Sequence, residues 1–295
     1  MPLKIGIEYI YALLSVIAWS TVFIVVKIVI DESNPILLSM FRFFIASIIL
    51  LVYVYRRKML SQLKNIYLDE YKNIVFQGLT GIAGMSSILF YGIKYTSASI
   101  SSIIMNSNPL IIAVLSYLFL KEKLKSINIA GIIIGYIGII PILSRGENIF
   151  KLFTSKHLFG DILCVIAAIL WSLYIINGKK LLERYNPIIV TLAAMTIGTV
   201  ILIPPLIIFY WKDIYNISMK TFWAMIYLGI FPTGIGFTLW FNALEKLPAS
   251  RLSIIGYLVP ILSLILSVIL LGEKINVFIL IGFILVVLGL YLSNV

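Results

Sequence analysis

The chain has 295 residues, of which 61% are hydrophobic and only 12% charged, with a mean hydropathy of +1.09 and a formal net charge of +11. A soluble domain is roughly half apolar and about a quarter charged, so this composition excludes one and predicts an all-α integral membrane protein. The single cysteine, Cys164, excludes an intramolecular disulfide.

Ten apolar stretches follow one another, each long enough to cross a hydrocarbon core of about 30 Å as a helix. In chain order the predicted segments 1 to 10 are Tyr9–Ile30, Pro35–Tyr55, Asn73–Ile93, Ser97–Leu120, Ile127–Ser144, Asp161–Asn177, Pro187–Tyr210, Thr221–Ala243, Ser250–Leu271 and Ile275–Leu292. Segment 1 is longer than a typical leader's apolar region, has Glu8 in its flank and lacks a small-residue cleavage site, so it reads as a membrane helix. The longest loop, 145–160, lies mid-chain and divides residues 1–144 from 161–295.

The location of the positive charge matters more than its sum. With the N-terminus inside, fourteen Lys and Arg fall in cytoplasmic loops and seven in outer ones, leaving Lys27 and Arg42 within segments. That bias predicts both termini in the cytoplasm of a cell-membrane protein. The charge therefore orients the chain against anionic lipid and does not imply nucleic acid.

The chain also repeats itself. Trp19-Ser20, Lys27 and Asn34-Pro35 recur as Trp171-Ser172, Lys179 and Asn186-Pro187 at an offset of 152. Gly78, Ser99, Ser102, Pro109, Glu122 and Gly131 recur as Gly229, Ser250, Ser253, Pro260, Glu273 and Gly282 at an offset of 151. Because each repeat holds five segments, an odd number, the second half is expected to enter the membrane upside down. Such inverted repeats are typical of carriers that rock between inward-open and outward-open states around a midplane site.

The stretches "AWSTVFIVVKIVI", "NPILLSMFRFFIASIIL" and "YTSASISSIIMNSNPLIIAVLSYLFLKEKLKSINIAGIIIGYIGI", with "LPASRLSIIGYLVPILSLILSVILLGEKINVFILIGFILVVLGL" in the second half, resemble the EamA repeat of the drug/metabolite transporter superfamily over almost the whole chain. The resemblance implies ten helices in two inverted five-helix repeats, a central cavity lined by segments 1, 3, 4, 6, 8 and 9, and secondary transport of a small metabolite, often amino-acid export. No cofactor is implied.

Candidate cavity residues come from that placement and from helical spacing. In segment 4, Ser99, Ser102, Asn106 and Pro109 fall within about 80° of one another, a polar stripe matched by Ser250, Ser253, Tyr257 and Pro260 in segment 9. Lipid penalises such a face, so it turns either to the cavity or to a close helix contact. Trp19, Ser20, Tyr91, Trp171, Ser172, Tyr174 and Trp240, with Asn177 and Asn242, would complete the lining, whereas Trp211 and Trp223 read as interfacial. The two prolines are expected to bend their helices. Glu122 and Glu273 read as hairpin anchors at helix ends. The glycines of segments 5 and 10 form a small-residue face that serves either to join the halves or to form a homodimer.

Lys27 and Arg42 carry the sharpest expectation, that at least one attracts an anionic substrate group such as a carboxylate. The alternative is that Lys27 snorkels and Arg42 braces backbone carbonyls. The second-half counterpart of Arg42 is Ala194. Competing classes fare worse. An intramembrane enzyme would need paired carboxylates, a Ser/His pair or metal ligands, and the only histidine, His157, is in the central loop. No charged ring or carbonyl filter repeats, as a channel would require. Within carriers, uptake or exchange of a nucleoside-like or sulfonium solute, or drug efflux, is the second reading.

Overall fold

A computed structural model describes residues 6–120, 125–147, 155–244, 246 and 255–293, and among these every regular element is helical. Eight helices are long and apolar enough to cross a membrane, with the two shorter apolar helices Leu258–Leu271 and Val277–Ser293 after them. Large apolar side chains such as Ile17, Val52, Ile133, Ile207 and Leu280 point outward, as a lipid-facing surface requires.

Segments 1, 2, 5 and 7 are the helices Ile7–Val29, Pro35–Arg56, Ser126–Ser144 and Pro187–Phe209. Asn34 and Asn186 cap segments 2 and 7 by accepting hydrogen bonds from Ile36 and Ile188, each just before a proline in the first turn. Segment 6 starts five residues before its predicted boundary and runs Lys156–Leu182, because Ser155 caps its first turn. A further helix, Leu60–Asp69, occupies the predicted loop between segments 2 and 3. Its signal was in the sequence: Leu63, Ile66 and Tyr67 recur at helical spacing and pack inward, while Leu68 stays exposed.

The long helices are interrupted at matched places. In segment 3 a π-helical turn, Gly78–Gly84, joins Tyr71–Gln77 to Met85–Tyr95; in segment 8 another, Gly229–Ile235, joins Met219–Leu228 to Gly236–Leu244. The two turns stand 151 residues apart, the offset found in the sequence. Glycine permits both: a Cβ on Gly78 would lie 2.8 Å from the backbone nitrogen of Gly198 in segment 7, and one on Gly229 would lie 2.7 Å from Ile45 Cβ in segment 2. Each turn therefore presses against a neighbouring helix. Such π-bulges mark functional positions in many helices.

Segment 4 breaks at Asn106 and Ser107 into Ala98–Met105 and Asn108–Leu120, and in segment 9 a turn at Tyr257 separates helical Ile255 and Gly256 from Leu258–Leu271. The prolines explain the position. Pro109 and Pro260 occupy the first turns of Asn108–Leu120 and Leu258–Leu271, where the missing N–H costs nothing. Pro109 has no N–H to give to the Met105 carbonyl, which accepts instead from the Asn108 side chain at 2.8 Å.

Segments 5 and 10 form the closest helix pair. Gly131, Gly135 and Gly138 face Gly282 and Gly289 so closely that a Cβ on any of them would overlap atoms of a facing helix. The small-residue face thus holds the halves together within one chain. The remaining buried apolar residues form two main clusters, one around segments 1, 3, 4 and 9 and one around segments 2 and 7, and Trp19 and Trp171 pack against both.

Candidate functional site

Two cavities open at opposite ends of segments 1 and 2. The first, about 350 Å³, lies at the loop joining segments 1 and 2, lined by residues 31–35, Leu37, Tyr91, Lys94 and the 210–221 region. The second, about 430 Å³, is lined by Tyr11, Tyr53, Arg57, Met59, Asn186, Ile188, Asn242 and Lys246. They share no lining residue, yet Asn34 and Tyr91 of the first correspond by the repeat offsets to Asn186 and Asn242 of the second. Their charges are opposite. The first carries Asp31, Glu32 and Asp213 against Lys94; the second carries Arg57 and Lys246.

Between them lies a cluster of rings. Trp19 meets Trp240 at 4.8 Å and Phe237 edge-on at 5.5 Å, Phe237 meets Trp171 at 6.4 Å, and Trp171 stacks on Tyr174 at 5.0 Å. The Trp19 indole N–H donates to the Pro232 carbonyl at 2.8 Å, in the π-turn of segment 8. Segments 1, 6 and 8 thus meet through rings, with the polar edge of Trp19 satisfied. The sequence reading found four of the five and missed Phe237, which lies one helical turn before Trp240.

Arg42 lies on segment 2 about 10 Å from its Pro35 end, at 1.5 Å per residue. It is 6% exposed, its Nε donates to the Thr233 hydroxyl at 2.7 Å, and that hydroxyl donates to the Leu228 carbonyl at 2.7 Å, five residues back across the π-turn. The guanidinium carbon is 4.8 Å from the centre of the Phe43 ring and 5.6 Å from that of Phe90, within cation–π range.

Lys27 is used differently. Its ammonium donates to the carbonyls of Ile93 at 2.9 Å and Thr96 at 2.7 Å, closing the C-terminus of segment 3. Like Arg42, it lines neither cavity. Thr96 also accepts from Arg145, which pairs with buried Asp161 at 2.9 Å. Glu273 completes this clasp at the junction of segments 3 and 4. Its carboxylate accepts from the backbone N–H of Ala98 and Ser99 and from the Ser99 hydroxyl. A carboxylate is stabilised there by the unpaired amides and positive end of the helix. Glu122 lies outside the described residues.

The other predicted residues divide between cavity and packing. Tyr91, hydrogen-bonded to Tyr210, lines the first cavity and Asn242 the second. Ser102 is fully buried, Ser20 and Ser172 donate to carbonyls of their own helices, and the carbonyl of Ser20 receives Ser263. Tyr257 donates to the Leu290 carbonyl at 3.1 Å, and Asn177 faces Asn73 at the end away from the clasp. Ser250 and Ser253 lie outside the described residues. No group of three or more metal-ligating side chains occurs among the described residues.

The sequence profile of the EamA-like transporter family matches residues 6–144 and 158–295. An uncharacterized transporter of Archaeoglobus fulgidus is 28% identical over 95% of both chains. A probable amino-acid metabolite efflux pump of Salmonella typhimurium is 25% identical over 96% of this chain and 93% of its own. A crystal structure at 18% identity shares the fold, with a TM-score of 0.66 over 97% of this chain and 96% of that one. The chain belongs to the EamA-like transporter family and is a multi-pass membrane transporter, not an enzyme.

Proposed function

We propose that the protein is a secondary carrier that exports a small metabolite of the amino-acid class across the cell membrane by alternating access, its ten segments forming two inverted five-helix repeats. One observation carries the reading: two cavities occupy corresponding places in the two halves, at opposite ends of the bundle, with a ring cluster between them. In an inverted repeat each cavity is the other's counterpart, so a modest rocking of the halves deepens one and closes the other. The matched π-turns and helix breaks give both halves a place to bend.

With both termini cytoplasmic, the basic cavity faces the cytoplasm and the acidic one the exterior. This polarity gathers anions or zwitterions from inside and discourages their return. The name of the Salmonella relative agrees with export of that class. Purified protein in liposomes loaded with cytoplasmic metabolite extract is expected to show saturable counterflow of a labelled substrate. Single-channel currents instead of counterflow would overturn the carrier reading.

A further inference from the structure

We propose that Arg42, oriented by Thr233, binds the carboxylate of the transported solute; the inference rests on the carrier reading and gives it a substrate class. A buried charge in a membrane protein is paired, ligated or functional. Among the described residues Arg42 has no ion pair, and its one hydrogen bond uses Nε. No hydrogen bond to a described residue uses Nη1 or Nη2, and Arg42 lines neither cavity. With Nε engaged, the end of the guanidinium carrying both Nη atoms stays free, and its parallel N–H groups match a carboxylate in bidentate fashion.

The surroundings fix the aim of this fork. The Thr233 hydroxyl proton is committed to the Leu228 carbonyl, so its lone pair is turned to Arg42. The rings of Phe43 and Phe90 hold the guanidinium carbon. Pro232, next to Thr233, holds the Trp19 indole. Arg42 is thereby linked through Thr233 and Pro232 to the Trp19 edge of the ring cluster, a neighbour that suits an apolar or flat remainder of the solute. The corresponding position in the other half is buried Ala194, so the pathway offers this cation once. The solute class is a small organic acid or amino acid with one carboxylate and an apolar or aromatic body.

The test compares the culture medium of cells producing the wild type, Arg42→Gln, Arg42→Lys or Thr233→Val with that of cells lacking the protein, by untargeted metabolite profiling, at matched amounts of monodisperse protein in detergent extracts. Wild-type cells are expected to enrich the medium in small carboxylates. Arg42→Gln should reduce that enrichment about 10- to 100-fold, the scale of losing a charged hydrogen-bonded pair. Arg42→Lys should recover part of it, because it restores charge without the fork. Should Arg42→Gln fail to fold, Thr233→Val decides, with an expected loss of about threefold to tenfold. Enriched solutes that lack an anionic group, or undiminished export by the decisive variant, would overturn the site and leave the carrier intact. No enriched solute from wild-type cells would overturn the export reading and this site together.

Discussion

Replacing Gly289 by alanine tests the contact between segments 5 and 10. The added Cβ would lie 2.4 Å from the Gly135 nitrogen, 2.5 Å from its Cα and 2.6 Å from the Gly131 carbonyl oxygen, where ordinary contact begins near 3.4 Å. All three are backbone atoms of a regular helix, so no rotamer change relieves the overlap and the helices must separate by about 1 Å. A gap of that size forfeits about a quarter to a half of the dispersion well of the facing atoms. Overpacking costs about 1–3 kcal/mol, and an obstacle made of backbone belongs at the upper end. On the scaling for a chain somewhat smaller than this one, about 3 kcal/mol lowers the unfolding midpoint by roughly 6–12 °C.

Gly135→Ala provides the comparison, because its Cβ would meet the tips of the Leu110 side chain, which can turn away. Thermal unfolding in detergent, followed by the loss of the monodisperse peak, should show a shift for Gly135→Ala less than half that for Gly289→Ala. Neither glycine lines a cavity, so transport by the surviving folded protein at 20 °C should stay near the parental rate. A Gly289→Ala protein as stable as its parent, or one that folds normally but does not transport, would refute the reasoning.

Lys27→Gln should destabilise the protein by about 1–3 kcal/mol, because it weakens the closure of two carbonyls at the end of segment 3; transport of a carboxylated substrate and of its amide should fall together, and selective loss of the acid would return Lys27 to the substrate path. The Glu32 carboxyl is held below its ordinary range, chiefly by its hydrogen bond to Lys220 and then by Ser218. A lowered folded-state value means that its contribution is present above the unfolded carboxylate value and lost only as pH falls through the folded one. Glu32→Gln should therefore leave the shape of the transport profile between pH 5 and 8 unchanged, which initial rates in liposomes would check. If both termini are cytoplasmic, as proposed, a periplasmic-type phosphatase fused after Val295 should be inactive and a fluorescent protein at the same place bright.

Hydropathy and charge in the chain itself determined the membrane class and the approximate segments, because lipid imposes length and apolarity on each helix before any helix meets another, and residue matches at a fixed offset disclosed the internal repeat. The same local logic located the glycine face of segments 5 and 10. Tertiary structure decided the rest. Hydropathy does not register the π-turns at Gly78 and Gly229, nor that segments 7 and 2 pack tightly against those glycines. Nor could spacing reveal that Glu273 closes segment 4, a partner 174 residues away, or that Phe237 joins the tryptophans. Lys27 and Arg42 looked equivalent as lone charges in apolar helices. Segment 3 ends beside Lys27 with carbonyls to satisfy, whereas segment 8 offers Arg42 a single hydroxyl, and no other hydrogen bond to Arg42 occurs among the described residues. A side chain's type sets which bonds it can make, but the helix that packs against it sets which of them are already taken.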